Sequence, residues 1–171
     1  MPAFLLSRRL SKPTAKAFAA FTIIEILVVV ASMTLFLLAG ISGFRSLQIR
    51  NQLLAATESF KADLRLAREL ALAGKKPSGC STLNGYEVRS FGNNLYRIIA
   101  ICYPEGSVYL NDFPQKNIRD EFPKVTLRVF TPVLFKVLGG GVNTGSNIQI
   151  ILYDTSNNTQ TVTVTPGGAI Y

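Results

Sequence analysis

The sequence predicts an α+β fold, one long N-terminal helix packed against an antiparallel β-sheet. Three observations predict it. An apolar run of membrane-spanning length lies near the start and passes into an amphipathic helical pattern that ends at a glycine. From about residue 79 the pattern changes to short alternating segments separated by turn residues. The 171 residues suffice for one domain with an appendage and are too few for two large domains. A helix followed by strands, without repeated alternation of the two, is the α+β order.

Composition excludes several function classes. Apolar residues make up 48% of the chain and charged residues 16%, against about 25% charged in ordinary soluble domains, which points to a membrane-embedded piece. Histidine is absent, which removes the commonest general base and the commonest zinc ligand. Two cysteines cannot build a four-ligand metal site or an iron–sulfur cluster. No cofactor and no metal site is expected. The formal charge of +8 is weighted to the start, where Arg8, Arg9, Lys12 and Lys16 precede the first acid, Glu25. Residues 21–171 carry fourteen cations and ten acids, a net +4. That is compatible with nucleic acid and does not call for it.

The first element is Phe21 to Ile41, FTIIEILVVVASMTLFLLAGI. Its 21 residues span about 31 Å as a helix, which matches a hydrocarbon core of about 30 Å. Thirteen of them are Leu, Ile, Val or Phe, together worth about 4–8 kcal/mol of insertion, against at most about 3 kcal/mol for Glu25. Four cations precede the run, and only Arg45 and Arg50 follow it closely, so the N-terminus is expected in the cytoplasm and the rest outside. A secretory signal peptide and a plain signal anchor share this basic-then-apolar order. A signal peptide, however, has an apolar stretch of only about 7–15 residues and a clean small-residue cleavage site. Neither accounts for a carboxylate five residues into the run.

Ala20-Phe21-Thr22-Ile23-Ile24-Glu25, after a short basic leader and before an unbroken apolar helix, resembles the type IV prepilin processing motif. The resemblance implies that a prepilin peptidase cuts after Ala20 and methylates the new N-terminus at Phe21. Glu25 then becomes the fifth residue of the mature chain. The family more commonly has Gly where Ala20 stands, and Ala is a tolerated departure. An intramembrane carboxylate calls for a named partner. Here it is the cationic amine of Phe21 on a neighbouring subunit, a pairing that offsets desolvation and sets the stagger of packed helices. The implied partners are the peptidase, other pilins or pseudopilins, and an inner-membrane assembly platform with its ATPase. The implied location is the cytoplasmic membrane, then a filament.

Beyond Ser42 the pattern turns amphipathic. Phe44, Leu47, Leu54, Phe60, Leu64, Ala67 and Ala71 recur at helical spacing, with Arg50, Asn51, Glu58, Lys61, Arg65, Arg68 and Glu69 filling much of the rest. Gly74, followed by Lys75, Lys76 and Pro77, is the expected stop. One helix from about 22 to 73 is therefore predicted. The organisation is a leader at 1–20, a membrane helix at 21–41, its amphipathic continuation at 42–75 and a β-rich outer domain at 76–171. The stretches around Phe44–Leu47, Asn51–Ala56 and Leu64–Ala71 resemble one subgroup, the H-type minor pseudopilins of type II secretion and the FimT-like minor pilins.

In the outer domain, 86–90, 95–103, 108–110, 125–130, 147–153 and 160–165 read as strands. The predicted inward face of the fourth is Val125, Leu127 and Val129. The last two strands flank Asp154-Thr-Ser-Asn-Asn158 and read as a hairpin, with Val162 and Val164 inward and Thr161, Thr163 and Thr165 outward. The order from Phe135 through a glycine-rich loop to Thr161–Gly168 again looks like the same subgroup. Gly139–Gly145 contains no Lys and leads into a strand, so it is read as a loop and not as a phosphate-binding P-loop. Cys80 and Cys102 are a candidate disulfide pair on the oxidising side. Two separately buried thiols are the alternative, because sequence does not give their separation.

Three functions follow. The first is a minor pilin or pseudopilin, a substrate of the peptidase and not itself an enzyme. The second is a DNA-binding FimT-like minor pilin. That subgroup carries arginines after the last strand's glycine, whereas Gly168 here precedes Ala169, Ile170 and Tyr171, which weakens a phosphate-contact role. The third is a single-pass membrane-anchored protein unrelated to pili, including an enzyme. For catalysis, Ser78, Ser81, Ser90, Glu87, Glu105 and Asp112 form no recognisable arrangement in sequence.

Overall fold

The computed structural model describes residues 22–171, and for 38–43 the backbone alone. The leader, Ala20 and Phe21 lie outside the described residues.

Helix α1 runs Ile23–Leu72, within a residue of the predicted bounds at each end. Thr22 caps its start: the Glu25 amide meets the Thr22 carbonyl at 3.1 Å and its hydroxyl at 3.4 Å. Thr-x-x-Glu is the capping-box spacing, which places Glu25 at the third helical position. At the far end the Gly74 amide donates to the Ala71 carbonyl and the Lys75 amide to the Leu70 carbonyl. Gly74 takes φ +59, which completes a Schellman stop.

Ser42–Tyr171 forms one compact unit, and it is α+β with antiparallel sheets. There are two sheets where the sequence predicted one. In the first, β1 (Thr82–Ser90) pairs with β2 (Leu95–Tyr103) on one edge, Val88 opposite Ile98. On its other edge it pairs with β6 (Val133–Lys136), Val88 opposite Val133. The far edge of β2 holds β3 (Gly106–Tyr109) and, nearer its start, the two-residue β4 (Lys116–Asn117). A four-residue helix α2 (Ile118–Glu121) follows, capped by the Asn117 side chain. The second sheet is β5 (Val125–Leu127), β7 (Ile148–Asp154) and β8 (Thr159–Val164), in the order β5-β7-β8.

Asn94, with φ 69, joins the sheets. Its amide donates to the Leu127 carbonyl and its side-chain oxygen accepts from the Leu127 amide, both at 3.0 Å, while its carbonyl accepts from the Ile118 amide at 2.9 Å. A short polar residue suits such a left-handed corner.

One core joins the helix to both sheets. The buried helix face is Leu53, Ala56, Phe60, Leu64, Ala67 and Ala71, a 3-4 spacing on one side of the helix. Three of the predicted face residues are corrected: Phe44, Leu47 and Leu54 are exposed. Leu54 stands about 100° around the helix from Leu53, which takes the core position instead. Phe60 is the centre of the interface, edge-on to Tyr96 at 5.0 Å and to Phe130 at 5.6 Å. Strand β5 also ends earlier than predicted, at Leu127, and Val129 is exposed. Its alternation continues on paper, but the chain leaves the sheet to bury Phe130 in the core.

Cys80 and Cys102 are bonded to each other, their Cα atoms 5.5 Å apart. The bridge fastens the chain just before β1 to the end of β2, and closing a loop of this size contributes roughly 3 kcal/mol. Beside it, both the amide and the hydroxyl of Ser81 donate to the Glu105 carboxylate.

Candidate processing and assembly site

Of the residues singled out by sequence, Ala20 and Phe21 lie outside the described residues. Glu25 is exposed in the first turn of α1. Its position at the positive end of the helix dipole is worth about 0.3–1 kcal/mol to a carboxylate. Every described residue from Thr22 to Leu37 is exposed, including Ile23, Ile24, Leu35 and Phe36. A helix apolar on all sides has no face to turn to water and needs an apolar surrounding. Ser32 and Thr34 donate their hydroxyls to the Val29 and Ala31 carbonyls at 2.8 Å, and Glu25 is the only charged side chain from Thr22 to Leu37.

Among the described residues no helix is long and apolar enough to cross a membrane. The exposed apolar stretch that is described, Thr22–Leu37, has sixteen residues, about 24 Å of helix. The predicted span, 21–41, includes Phe21 and the side chains at 38–41, which lie outside the described residues.

In the outer unit the titratable groups cluster elsewhere. Asp63, 7% exposed, sits on the buried face of α1 between Phe60 and Leu64. It accepts from the Tyr96 hydroxyl at 2.6 Å and from the Lys116 amine at 2.7 and 2.8 Å. One carboxylate thus ties the helix to β2 and β4. Burial, and then the adjacent carboxylate, push the Tyr96 hydroxyl far above the ordinary phenol range, so it is a committed donor. Sequence reasoning missed this group. The signal was present, because Asp63 stands three residues after Phe60 and four before Ala67, inside the apolar stripe.

Asp154 closes the β7–β8 turn, as the polar turn cluster predicted. Its carboxylate accepts from the Ser156 amide at 2.7 Å and the Asn158 amide and side chain at 2.9 and 2.8 Å. Burial raises its pKa, but the bonds from Asn158 and Ser156 outweigh it and hold the group below the usual carboxylate range.

The residues weighed for catalysis are dispersed. Glu87 pairs with Arg89, Ser90 bonds to the backbone of Phe130, and Ser78 and Asp112 are exposed. Only Ser81 and Glu105 meet, beside the disulfide. Among the described residues no group of three His, Cys, Asp or Glu side chains is placed to hold a metal ion. The Gly139–Gly145 stretch is a loop and Val142 forms a bridge to Phe135. Residues 169–171 run back along β8, with Tyr171 and Thr163 exchanging both backbone hydrogen bonds.

In comparisons with known proteins, no family model matches the chain, and neither a curated protein nor a solved structure matches it.

Proposed function

We propose that this chain is a minor pilin or pseudopilin. In this reading it is inserted in the cytoplasmic membrane with its N-terminus inside and cut before Phe21. It is then methylated and packed into a type IV pilus or type II secretion pseudopilus. The observation that carries the proposal is the placement of one carboxylate, Glu25, in the first turn of a helix that is exposed and apolar from Ile23 to Leu37. The same helix continues to Leu72 and supplies the buried face of an α+β outer unit. In a filament the apolar helix would pack among those of neighbouring subunits, which supplies the apolar surrounding that its exposed side chains need. The partners are then the peptidase, neighbouring pilins, and the membrane platform with its ATPase; the chain is a substrate and performs no chemistry.

Any contribution of the Glu25 side chain to the start of α1, at the capping-box position, has to be separated from its pairing with the Phe21 amine of a neighbour. Glutamine serves at the third position of a capping box as glutamate does, but carries no charge. Glu25→Gln and Glu25→Ala are therefore both expected to insert normally and both to be lost from sheared filaments. Recovery of Glu25→Gln in filaments at the wild-type level would refute the charge-pairing role and the assembly argument built on it.

A further inference from the structure

The outer edges of the two sheets differ in how they are closed. Beyond β6, Val142 bridges Phe135 and the Asn143 amide donates to the Leu134 carbonyl. Beyond β8, Ile170 bridges Val164 and Tyr171 exchanges both backbone bonds with Thr163. At β5 the Leu127 amide and carbonyl are both taken by Asn94. Strand β3 pairs with β2 on one side, and its other side makes no backbone hydrogen bond among the described residues. Its sequence, Gly-Ser-Val-Tyr, has neither the lysine nor the proline that ordinarily guards an open edge.

Under this edge lies a cleft of 360 Å³ between the end of α1 and β3. Its apolar wall is Leu70, Val108, Leu110 and Phe113, each half-buried. Val108 stands on the helix side of the sheet, in one row with Ala100 and Tyr86, and the Tyr86 hydroxyl donates to the Lys75 carbonyl. Lys75, Lys76 and Asp112 also line the cleft, all three exposed. The lysines lie toward the start of β3: the Lys76 amine donates to the Ser81 carbonyl at 3.3 Å, and Ser81 donates to Glu105, the residue before β3. None of the three belongs to an ion pair among the described residues.

Open backbone groups above a groove call for a strand. A strand added to β3 satisfies the outward amides and carbonyls, and its alternate side chains, about 7 Å apart, point down into the groove. Val108 and Leu110 mark the same two-residue spacing on the helix side. Every other pair in this sheet is antiparallel, and antiparallel addition lays the C-terminal half of the incoming strand beside the lysines, where a carboxylate fits. A second copy pairing β3 with β3 in this way would have its α1 reversed, which two chains anchored in one membrane do not allow.

We infer that β3 and this cleft bind an extended peptide segment of another protein by strand addition, with two apolar side chains in the cleft and a carboxylate beside Lys75 and Lys76. The edge and the cleft both lie within Ser42–Tyr171 and stand whether or not the chain joins a filament.

The probe is the fluorescein-labelled peptide Thr-Val-Thr-Val-Thr-Glu-Thr, whose valines and glutamate share one face of a strand. Its fluorescence polarisation is followed as the full chain in a non-ionic detergent is added, and saturable binding is expected. N-methylation of every second amide is expected to abolish binding in one register and to leave it in the other, because only one edge of the peptide meets β3. Lys75→Glu, at an exposed position, is expected to weaken binding about two- to fivefold and to strengthen binding of the peptide with lysine in place of glutamate. No binding at millimolar peptide, or equal effects of methylation in the two registers, would overturn the inference. So would a dimer of the chain that the peptide dissociates, which would give the edge to a second copy.

Discussion

Replacing Asp63 by alanine tests how the outer unit is held to its helix. Tyr96 is 3% exposed, so its hydroxyl, left without Asp63, loses its partner in a largely buried site, which costs about 1–3 kcal/mol. The Lys116 side chain is half exposed and turns outward, which adds less than about 1 kcal/mol. The expected total is about 2–3 kcal/mol, or a fall in Tm of roughly 10 °C for a unit of this size. Asp63→Asn keeps an acceptor for Tyr96 and is expected to cost about 1 kcal/mol. Tyr96→Phe removes the donor and leaves the ion pair, also about 1 kcal/mol. The double variant Asp63→Ala with Tyr96→Phe has no stranded hydroxyl and should lose less than the two single losses combined, by about 1 kcal/mol. Thermal unfolding of residues 44–171, followed by the near-ultraviolet signal of the tyrosines, reads all four. A loss below about 0.5 kcal/mol in Asp63→Ala, or strict additivity in the double variant, would show that Asp63 does not hold Tyr96 in this way.

Other predictions follow from the same outer unit. Reduction of Cys80–Cys102, or Cys102→Ser, should cost roughly 3 kcal/mol, measured by denaturant unfolding with and without reductant. Gly85→Ala should be among the most damaging single changes, at about 3 kcal/mol or more. The reason is that a Cβ there falls inside van der Waals contact with the Phe135 carbonyl across β1 and β6; the expected result is loss of the cooperative thermal transition or a large drop in its midpoint. Asp154 has a lowered folded-state pKa. Its contribution is therefore fully present above its unfolded value of about 3.9 and lost as pH falls through the folded value. Stability curves from pH 6 to 2.5 should show a smaller acid decline in Asp154→Asn than in the parent.

The parts of the fold legible in sequence were those with one face in water. The β8 alternation of Thr161, Val162, Thr163 and Val164 reads directly because the threonines are solvent-facing and the valines are fully buried. Strand β1 buries Gly85 to Val88 consecutively, so it carries little period-two signal, and its pairing with β6 was not predictable. Strand β6 was missed because Pro132 and four residues are too little pattern to mark a strand. The division into two sheets depends on Asn94, whose corner role is a tertiary fact. In the helix, Leu53 and not Leu54 continues the 3-4 series of Ala56, Phe60, Leu64, Ala67 and Ala71, a phase that was present in the sequence and was not followed back past Phe60.

Processing into a filament subunit is tested most directly by intact mass and N-terminal peptide analysis of the protein from its native membrane. The expected chain begins at N-methyl-Phe21. A chain that retains Met1, or one that begins near Ser42, would contradict it.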